Sequence, residues 1–371
     1  MVPGGGTEGV TAWMVEALKS EYDVALITFS DVSGDLLNRF YATELSEDQF
    51  TVIRPWFPPG LKRTRRLSLL KDHLMMRYCK SARPKFDLFI GSGPMDFGCP
   101  AVQYIALGPD STLVKILSHD PELSNAYYLA KRSIKRLCEL VSGFSNQSMI
   151  ENTSLVNSKR TGKVADEVFG IKNYEVVYPP AIAPPSGTPW HARADGFLCI
   201  SRSEPYKLID QIIHILTRVR EKGVDVSLQI VGRSDDPSYY RQIEQLREQN
   251  SSWIFLDAGL ARTELFSLMN RHKYGINGAL DEHFGMAVAE MVKAGCIVFV
   301  PNGGGQTEIV DTPELIYESA DDAVDKITRV LSEDGLQKRL LDRMDQQGKI
   351  FSTQAFCGSM RRVVHQFFAG G

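Results

Sequence analysis

The chain has 371 residues, which predicts two domains, because one hydrophobic core rarely grows beyond about 250–300 residues. Hydrophobic residues make up 43% and charged residues 23%, as in soluble globular proteins, and a net charge of −3 excludes nucleic acid as the main partner. Six scattered cysteines and the lack of a leader or a long apolar run predict a cytoplasmic protein without a metal site, disulfides or a membrane span.

A glycine-rich run opens the chain, and a helical pattern follows it. Gly4, Gly5 and Gly6 precede apolar residues at helical spacing, and a strand is predicted over 24–29. Glycine-rich turns of this kind normally follow a buried strand that supports the approach of the backbone to a phosphate. We therefore expect that the first strand is missing and that the native start lies about ten residues upstream.

Strand patterns alternate with helical patterns in both halves of the chain. The predicted strands after the first are 86–90, 101–105, 140–144, 174–178, 196–200, 226–232, 253–256, 273–276 and 296–300. This alternation predicts an α/β protein with parallel sheets covered by helices.

A stretch rich in proline, residues 179–189, predicts a linker between two such domains. The predicted domains are 1–187 on the acceptor side and 188–350, which binds a nucleotide-sugar, with a terminal helix in 351–371 that packs back on the first. Ligands of open α/β sheets bind at the carboxyl ends of the strands, so two doubly wound, Rossmann-like domains would face a central cleft.

The most informative stretch is 281–290, in which Glu282 and Glu290 flank a Phe-Gly step that opens an apolar helix. Carboxylates accept hydrogen bonds from hydroxyls, so this pair suits a sugar or a ribose. The N–H groups of Gly285 and Met286 would face an anion at the helix start. The alternative is a solvated helix start in which Glu282 only complements the helix dipole.

Two further loops follow strands in the second half. The first presents Arg202 and Lys207, two cations that suit a departing diphosphate, although either one alone is more often a solvated surface residue. The second contains the glycines 303–305 followed by Glu308, which allow either close approach to a ligand or a structural turn.

Together, these loops, Gly232 after a strand and the glycine-rich start resemble the retaining glycosyltransferases of the GT-B fold, family four (group 1). The string EHFGMAVAEMVKAGCIVFVPNGGGQTEIV is similar to the branch that contains eukaryotic dolichol-linked mannosyltransferases. The resemblance is strong over 196–330 and weaker but collinear before it.

The resemblance implies transfer of a sugar from a UDP- or GDP-sugar to a glycan or lipid-linked acceptor, without a metal and with no cofactor beyond that co-substrate. It implies that Glu282 holds the transferred sugar and that Arg202 and Lys207 grip the diphosphate. The remaining implied donor-binding residues are Glu290 at the ribose, Phe284, Gly285, Met286, Gly232, Gly5 and Gly6.

One position departs from the family pattern on the acceptor side. Relatives carry a histidine where this chain has Ala106 after Gln103-Tyr104-Ile105, and alanine cannot bind a hydroxyl. Either His119 or Asp110 supplies a substitute, or turnover is impaired or the sugar differs.

The segment 61–85 carries nine basic residues against one acid, with leucines at helical spacing. It predicts either a helix that contacts an anionic membrane at the inner face, which suits a lipid-linked acceptor, or an ordinary domain helix with a charged outer side.

Three other functions compete with transfer. The run 4–9 also fits the G-x-G-x-x-G pattern of an NAD-dependent dehydrogenase, with Asp31 as the acidic residue, but no strand precedes it. A nucleotide-sugar epimerase and a catalytically impaired sugar-nucleotide binder remain as alternatives.

Overall fold

A computed structural model describes residues 6–56, 68–106, 125–183, 188–234 and 236–370, with side chains from Leu129 onward in the third range. The chain forms two compact units. Unit 1 comprises residues 1–178 and 356–371, and unit 2 comprises residues 179–355.

Unit 1 contains two parallel sheets with helices between their strands. The pair β1 (Val24–Ile27) and β2 (Phe50–Ile53) forms one sheet. The other has the order β3 (Ile90–Gly91), β4 (Val102–Ile105), β5 (Thr153–Val156), β6 (Glu175–Val176). The described helices before residue 179 are α1 (Gly6–Leu18), α2 (Gly34–Tyr41), α3 (Ser68–Ala82), α4 (Asn125–Ser142), α5 (Asn146–Ile150) and α6 (Lys159–Phe169).

The last helix, α14 (Thr353–Ala369), supplies part of the core of unit 1. Its buried residues Phe356, Met360 and Val363 pack in one cluster with residues of α1, β4 and β5. The Arg361 guanidinium also donates to the Ala17 carbonyl at 2.7 Å. Because apolar side chains recur every three or four residues, this helix presents a continuous stripe to the core.

Unit 2 is a six-stranded parallel sheet with helices in its connections. The strands are β7 (Ala194–Ile200), β8 (Ser227–Val231), β9 (Ile254–Asp257), β10 (His272–Ile276), β11 (Ile297–Pro301) and β12 (Ile316–Tyr317). The described helices are α7 (Ile209–Glu221), α8 (Pro237–Gln249), α9 (Arg262–Arg271), α10 (Met286–Lys293), α11 (Thr307–Val310), α12 (Ala320–Ser332) and α13 (Asp334–Ile350).

The spatial strand order β12-β11-β10-β7-β8-β9 makes unit 2 a doubly wound sheet. The chain builds outward from β7 to β9, returns to the middle and then builds outward from β10 to β12. The order therefore reverses between β7 and β10. In sheets of this kind the loops that diverge at the reversal leave a crevice for a ligand.

The α/β class predicted from the sequence is confirmed, and so is each strand predicted beyond residue 190. The strand predicted over 140–144 is wrong, because α4 continues to Ser142 and the following turn has Gly143 at φ 60°. The buried strand that pairs with β4 is β5, a four-residue run that the sequence analysis did not single out.

The residues just after β6 belong to unit 2, although the sequence pattern placed the division near 187. The Ala181 N–H donates to the Phe351 carbonyl at 2.8 Å, and its carbonyl accepts from Lys293 Nζ at 2.9 Å. These backbone contacts fix 179–183 to the second unit, while residues 184–187 lie outside the described part of the chain.

The packing of α14 predicts a stability change. Met360→Ala removes a fully buried side chain and should lower the free energy of unfolding by about 2–4 kcal/mol, because a cavity remains. Gln366→Ala, on the exposed side of the same helix, should change it by less than about 0.5 kcal/mol. Urea unfolding followed by circular dichroism measures both; equal effects would contradict the packing described for this helix.

Candidate functional site

Three loops lie side by side at the carboxyl end of the sheet in unit 2. They follow β7, β10 and β11, which are adjacent strands, and they span 201–207, 277–285 and 302–306. The first two loops are about 70 residues apart in the sequence, so local sequence patterns alone do not place them together. The parallel register of the three strands brings their ends to one edge.

The loops after β7 and β10 are joined by an ion pair between Lys207 Nζ and a Glu282 carboxylate oxygen. Both side chains are largely buried, with 12% and 20% of their surfaces exposed. Tyr206 lies between the two predicted cations, since its ring centroid is 5.0 Å from Lys207 Nζ and its hydroxyl is 2.6 Å from Arg202 Nη2. The structure thus brings together the three residues Arg202, Lys207 and Glu282.

The glycine run after β11 holds the loop that carries Glu282. A Cβ on Gly303 would lie 1.9 Å from the Leu280 carbonyl oxygen, and a Cβ on Gly304 would lie 2.3 Å from that of Glu282. The Gly305 N–H donates to the same Glu282 carbonyl at 2.7 Å. No side chain larger than hydrogen fits at 303 or 304, so these glycines permit backbone-to-backbone contact.

Two further glycines allow the neighbouring loops to cross closely. A Cβ on Gly232, at the end of β8, would lie 1.8 Å from the Ser201 carbonyl oxygen, and one on Gly278 would lie 2.7 Å from that of Lys207. Gly232, predicted from the resemblance as a donor-binding residue, therefore has a packing role in the structure. It sets the path of the loop that bears Arg202.

Helix α10 starts beside these loops with Gly285 as its N-cap at φ 105° and without a side-chain cap. The N–H groups of a first helical turn have no carbonyl partner inside the helix, so the backbone at Met286 presents donors there. The Phe284 side chain is 2% exposed and packs edge-on against Phe351 at 5.6 Å. Its buried ring anchors the turn, so the side chain has a packing role.

Glu290, on the next turns of α10, is buried and forms an ion pair with Arg262, whose Nη2 lies 2.5 Å from its carboxylate. Burial raises the pKa of this carboxyl, and the Arg262 charge opposes the rise. The guanidinium also stands 5.0 Å from the Phe266 ring. Sequence reasoning missed Arg262, because nothing in its local pattern distinguishes it from other arginines at helix starts.

Five buried side-chain polar atoms in the described part of the chain lack a hydrogen-bond partner, and three of them belong to these loops or their neighbours. They are Ser203 Oγ, Arg262 Nε and Gln306 Oε1. Ser203 follows Arg202, Arg262 contacts Glu290, and Gln306 donates to the Ala279 carbonyl at 2.6 Å. Buried polar groups are normally satisfied, so such a concentration is typical of a site that receives a polar ligand.

The residues predicted for the acceptor side lie in unit 1. The Gln103 side chain is fully buried and donates to the Met149 carbonyl and to Ser154 Oγ at 3.0 and 2.9 Å, which gives it a structural role. Ala106 is half-buried directly after β4 and packs against the core. Gly5 and His119 lie outside the described residues, and Gly6 is the first residue of α1.

A cavity of about 1770 Å³ lies within unit 1, between β1 and β3 and under α1, α3 and α4. Its walls include Leu26, Ile27, Leu88 and Phe89, and none of the predicted site residues lines it. Charge, buried polar atoms and helix donors meet instead at the loops of unit 2, which therefore form the candidate site.

Residues 191–350 match the family model described as glycosyl transferases group 1. A GDP-Man:Man(3)GlcNAc(2)-PP-Dol alpha-1,2-mannosyltransferase of Dictyostelium discoideum is 26% identical over 194 residues, which are 47% of this chain and 37% of that protein. The chain therefore matches well under half the length of that relative.

Solved structures resemble the whole chain at low identity. Sucrose-phosphate synthase of Thermosynechococcus elongatus has a TM-score of 0.72 at 14% identity, with 99% of this chain and 94% of that one covered. HepE of Anabaena in complex with UDP-glucose has 0.67 at 12%, with 98% and 96% covered. WaaG, a glycosyltransferase of lipopolysaccharide biosynthesis, has 0.68 at 15%, with 97% and 95% covered. At these identities the likeness concerns the fold.

The Arg262–Glu290 pair predicts a pH-dependent loss of stability. Arg262→Ala should cost about 2 kcal/mol near pH 8, below the 3–5 kcal/mol of fully buried pairs because Arg262 is 27% exposed. Because the pKa of Glu290 is higher in the folded than in the unfolded protein, this residue stabilises the fold most at pH values below its pKa in the unfolded protein. The stabilisation is lost as the pH rises through the pKa in the folded protein. Without Arg262 that pKa rises further, so the cost should be smaller near pH 5.

Urea unfolding at the two pH values measures the effect. Lys222→Ala, which breaks an exposed pair with Asp325, is the control and should have little effect at either pH. A cost for Arg262→Ala that is the same at both pH values would show that the charge of Glu290 is not what Arg262 stabilises.

Proposed function

We propose that this chain, whose residues 191–350 match the group 1 glycosyl transferases, moves a sugar from a nucleoside diphosphate-sugar to a hydroxyl of a glycan or lipid-linked acceptor. The resemblance inferred from the sequence is confirmed for the GT-B fold and for the family match over residues 191–350. The donor, the acceptor and the retention of anomeric configuration are proposals.

The observation that carries the proposal is the Lys207–Glu282 pair beside Arg202, at the reversal point of the sheet. In this proposal Glu282 accepts hydrogen bonds from sugar hydroxyls. The two cations neutralise the diphosphate as it departs with growing negative charge. A preformed pair of this kind is oriented before the donor binds, so little rearrangement is needed at the transition state.

The nucleoside end of the donor is assigned to Glu290. A carboxylate has about four acceptor sites, so Arg262 and a ribose hydroxyl can share it. The names of two related proteins support a nucleoside diphosphate, since one is a GDP-mannose enzyme and another binds UDP-glucose. We propose that the nucleoside diphosphate of the donor is UDP or GDP.

We propose that transfer needs no metal and no further cofactor, because Arg202 and Lys207 supply the positive charge at the diphosphate. The described loops offer positioning and charge rather than a Ser-His or Cys-His pair, which suits attack from the face of the leaving group and therefore retention. A chelator should leave the transfer rate unchanged.

The acceptor side of the proposal includes peripheral contact with the inner face of an anionic membrane through 61–85. Of this segment, residues 61–67 lie outside the described ranges, and 68–82 form α3. No helix in the described part of the chain is long and apolar enough to cross a bilayer. A lipid-linked acceptor would then be met at a membrane surface.

A catalytically impaired sugar-nucleotide binder is the second candidate, and Ala106 is the observation that favours it. The position directly after β4 carries a methyl group where relatives place an imidazole, so it offers no hydrogen bond to a sugar. Such a protein would still bind the donor through unit 2.

Donor binding and transfer are tested separately. Thermal shifts with UDP, GDP, their sugars and NAD should show stabilisation by one nucleoside diphosphate class, because a ligand that binds only the folded state raises the melting temperature. Glu290→Gln should weaken that binding about 10- to 100-fold through the lost charged hydrogen bonds. Stabilisation by NAD and by no sugar nucleotide would overturn the proposal.

Lys207→Ala should lower kcat of sugar transfer about 100- to 1000-fold, because one of the cations at the leaving group is removed. Transfer of radiolabelled sugar to an acceptor measures it, with Lys222→Ala as the distant control. Donor binding without transfer in the unaltered protein would identify the second candidate as correct.

Ala106→His tests the departure on the acceptor side. If Ala106 limits turnover, restoring an imidazole should raise kcat about 100-fold or less, the range of a positioned proton-transfer or hydrogen-bonding group. The measurement is the transfer rate at saturating donor, with donor affinity as the control. An unchanged rate with each accepted donor would remove Ala106 as the cause of low turnover.

A further inference from the structure

Helix α4 presents its large apolar side chains to solvent. Leu129, Leu137, Leu140 and Val141 are between 37% and 79% exposed, whereas Ile134 lines the cavity of unit 1. At 3.6 residues per turn these four residues fall within an arc of about 120° on one side of the helix. A helix at the surface of a globular protein normally turns such an arc toward the core.

The opposite side of α4 is the side that packs. Cys138 and Ser142 are buried there, and Ser142 Oγ lies 2.7 Å from Nδ1 of the buried His73 on α3. The exposed arc is thus not a misassigned core face, since the helix already has its packing surface. Contiguous exposed apolar residues of this kind mark an interaction surface.

Basic side chains border the arc. Between Leu129 and Ser142 the helix carries four basic residues against one acid, and that acid, Glu139, is paired with Lys135. Arg132 and Arg136 are exposed next to the apolar arc. Arg77 on α3 is exposed too, and its guanidinium donates to the Val141 carbonyl at 3.0 Å, which fixes a third positive charge beside the arc.

We propose that this face of α4, defined by Leu129, Leu137, Leu140 and Val141 with Arg77 and Arg136 at its border, binds the surface of an anionic lipid membrane. The apolar side chains enter the boundary between headgroups and acyl chains, and the arginines meet the lipid phosphates. The combination of apolar arc and positive border selects an anionic lipid surface over an uncharged one.

The inference rests on the proposed function, because a lipid-linked acceptor is the reason for the protein to contact a membrane. It moves the main contact from the basic segment 61–85 to the adjacent helix. The buried residues of α3 are His73, Met76, Cys79 and Ala82, so the apolar side of this helix packs against the core. The described part of the segment therefore contributes only positive charge to the membrane contact. The apolar contribution comes from α4.

Sedimentation of the full chain with phosphatidylcholine vesicles, with and without phosphatidylserine, tests the inference at low and high salt. We expect binding to the anionic vesicles. Leu137→Ser with Leu140→Ser should weaken it about tenfold or more, because two apolar side chains leave the interface. Arg136→Gln should weaken it about fivefold at low salt and less at high salt.

Ile350→Ser is the matched control, since Ile350 is 48% exposed on α13 in unit 2 and should leave vesicle binding unchanged. All substitutions are at exposed positions, and unchanged thermal melting would show that the fold is kept. The sedimentation assay contains no sugar donor, so it measures membrane binding independently of transfer. Vesicle binding without sugar transfer would support this inference and not the proposed function, and transfer without vesicle binding would do the opposite.

Three results would overturn the inference. The unaltered protein would sediment with neither vesicle type, or the Leu137/Leu140 double variant would sediment as the unaltered protein does. In the third, gel filtration would show that the unaltered protein self-associates and the double variant is a monomer, while both bind vesicles equally. That result would mean that a second copy of the chain covers the face.

Discussion

The backbone contact between the glycine run 303–305 and the loop 280–282 is the constraint on which the site of unit 2 depends. It places the carbonyl groups of Leu280 and Glu282 against a chain segment that has no side chains to hold them away. Glu282 is then presented to Lys207 by the main chain rather than by side-chain packing. The Glu282 carboxylate therefore gains its position from glycines in another loop.

The two glutamates of the stretch 281–290 have different environments and therefore different physical roles. Glu282 lies in a partly open loop beside two cations, where a charge can meet a polar substrate. Glu290 is buried, and its ionised form depends on Arg262. The pair that looks symmetric in the sequence is asymmetric in the fold: one carboxylate is supported by backbone geometry and the other by a single guanidinium.

The sequence predicts unit 2 well because its strands are buried on both faces and appear as continuous runs of apolar residues, as in Ile297–Pro301. It predicts unit 1 less well. Residues 140–144 have the composition of a strand but end an amphipathic helix. Strand β5 begins with the polar residues Thr153 and Ser154, so its apolar run is only two residues long. Arg262 and the exposed arc of α4 depend on which face a helix turns inward, and periodicity alone does not say which side is the core.

The sheet edges of unit 1 have a consequence for its dynamics. All four residues of β1 are only partly buried, and within the described residues this strand is paired on one side, with β2, while its other side borders the cavity. By contrast, β4 is completely buried between two partners. Local opening draws on the regions with the fewest buried contacts. The amide hydrogens of β1 and β2 should therefore exchange with solvent long before those of β4, so that unit 1 loosens from this pair of strands inward.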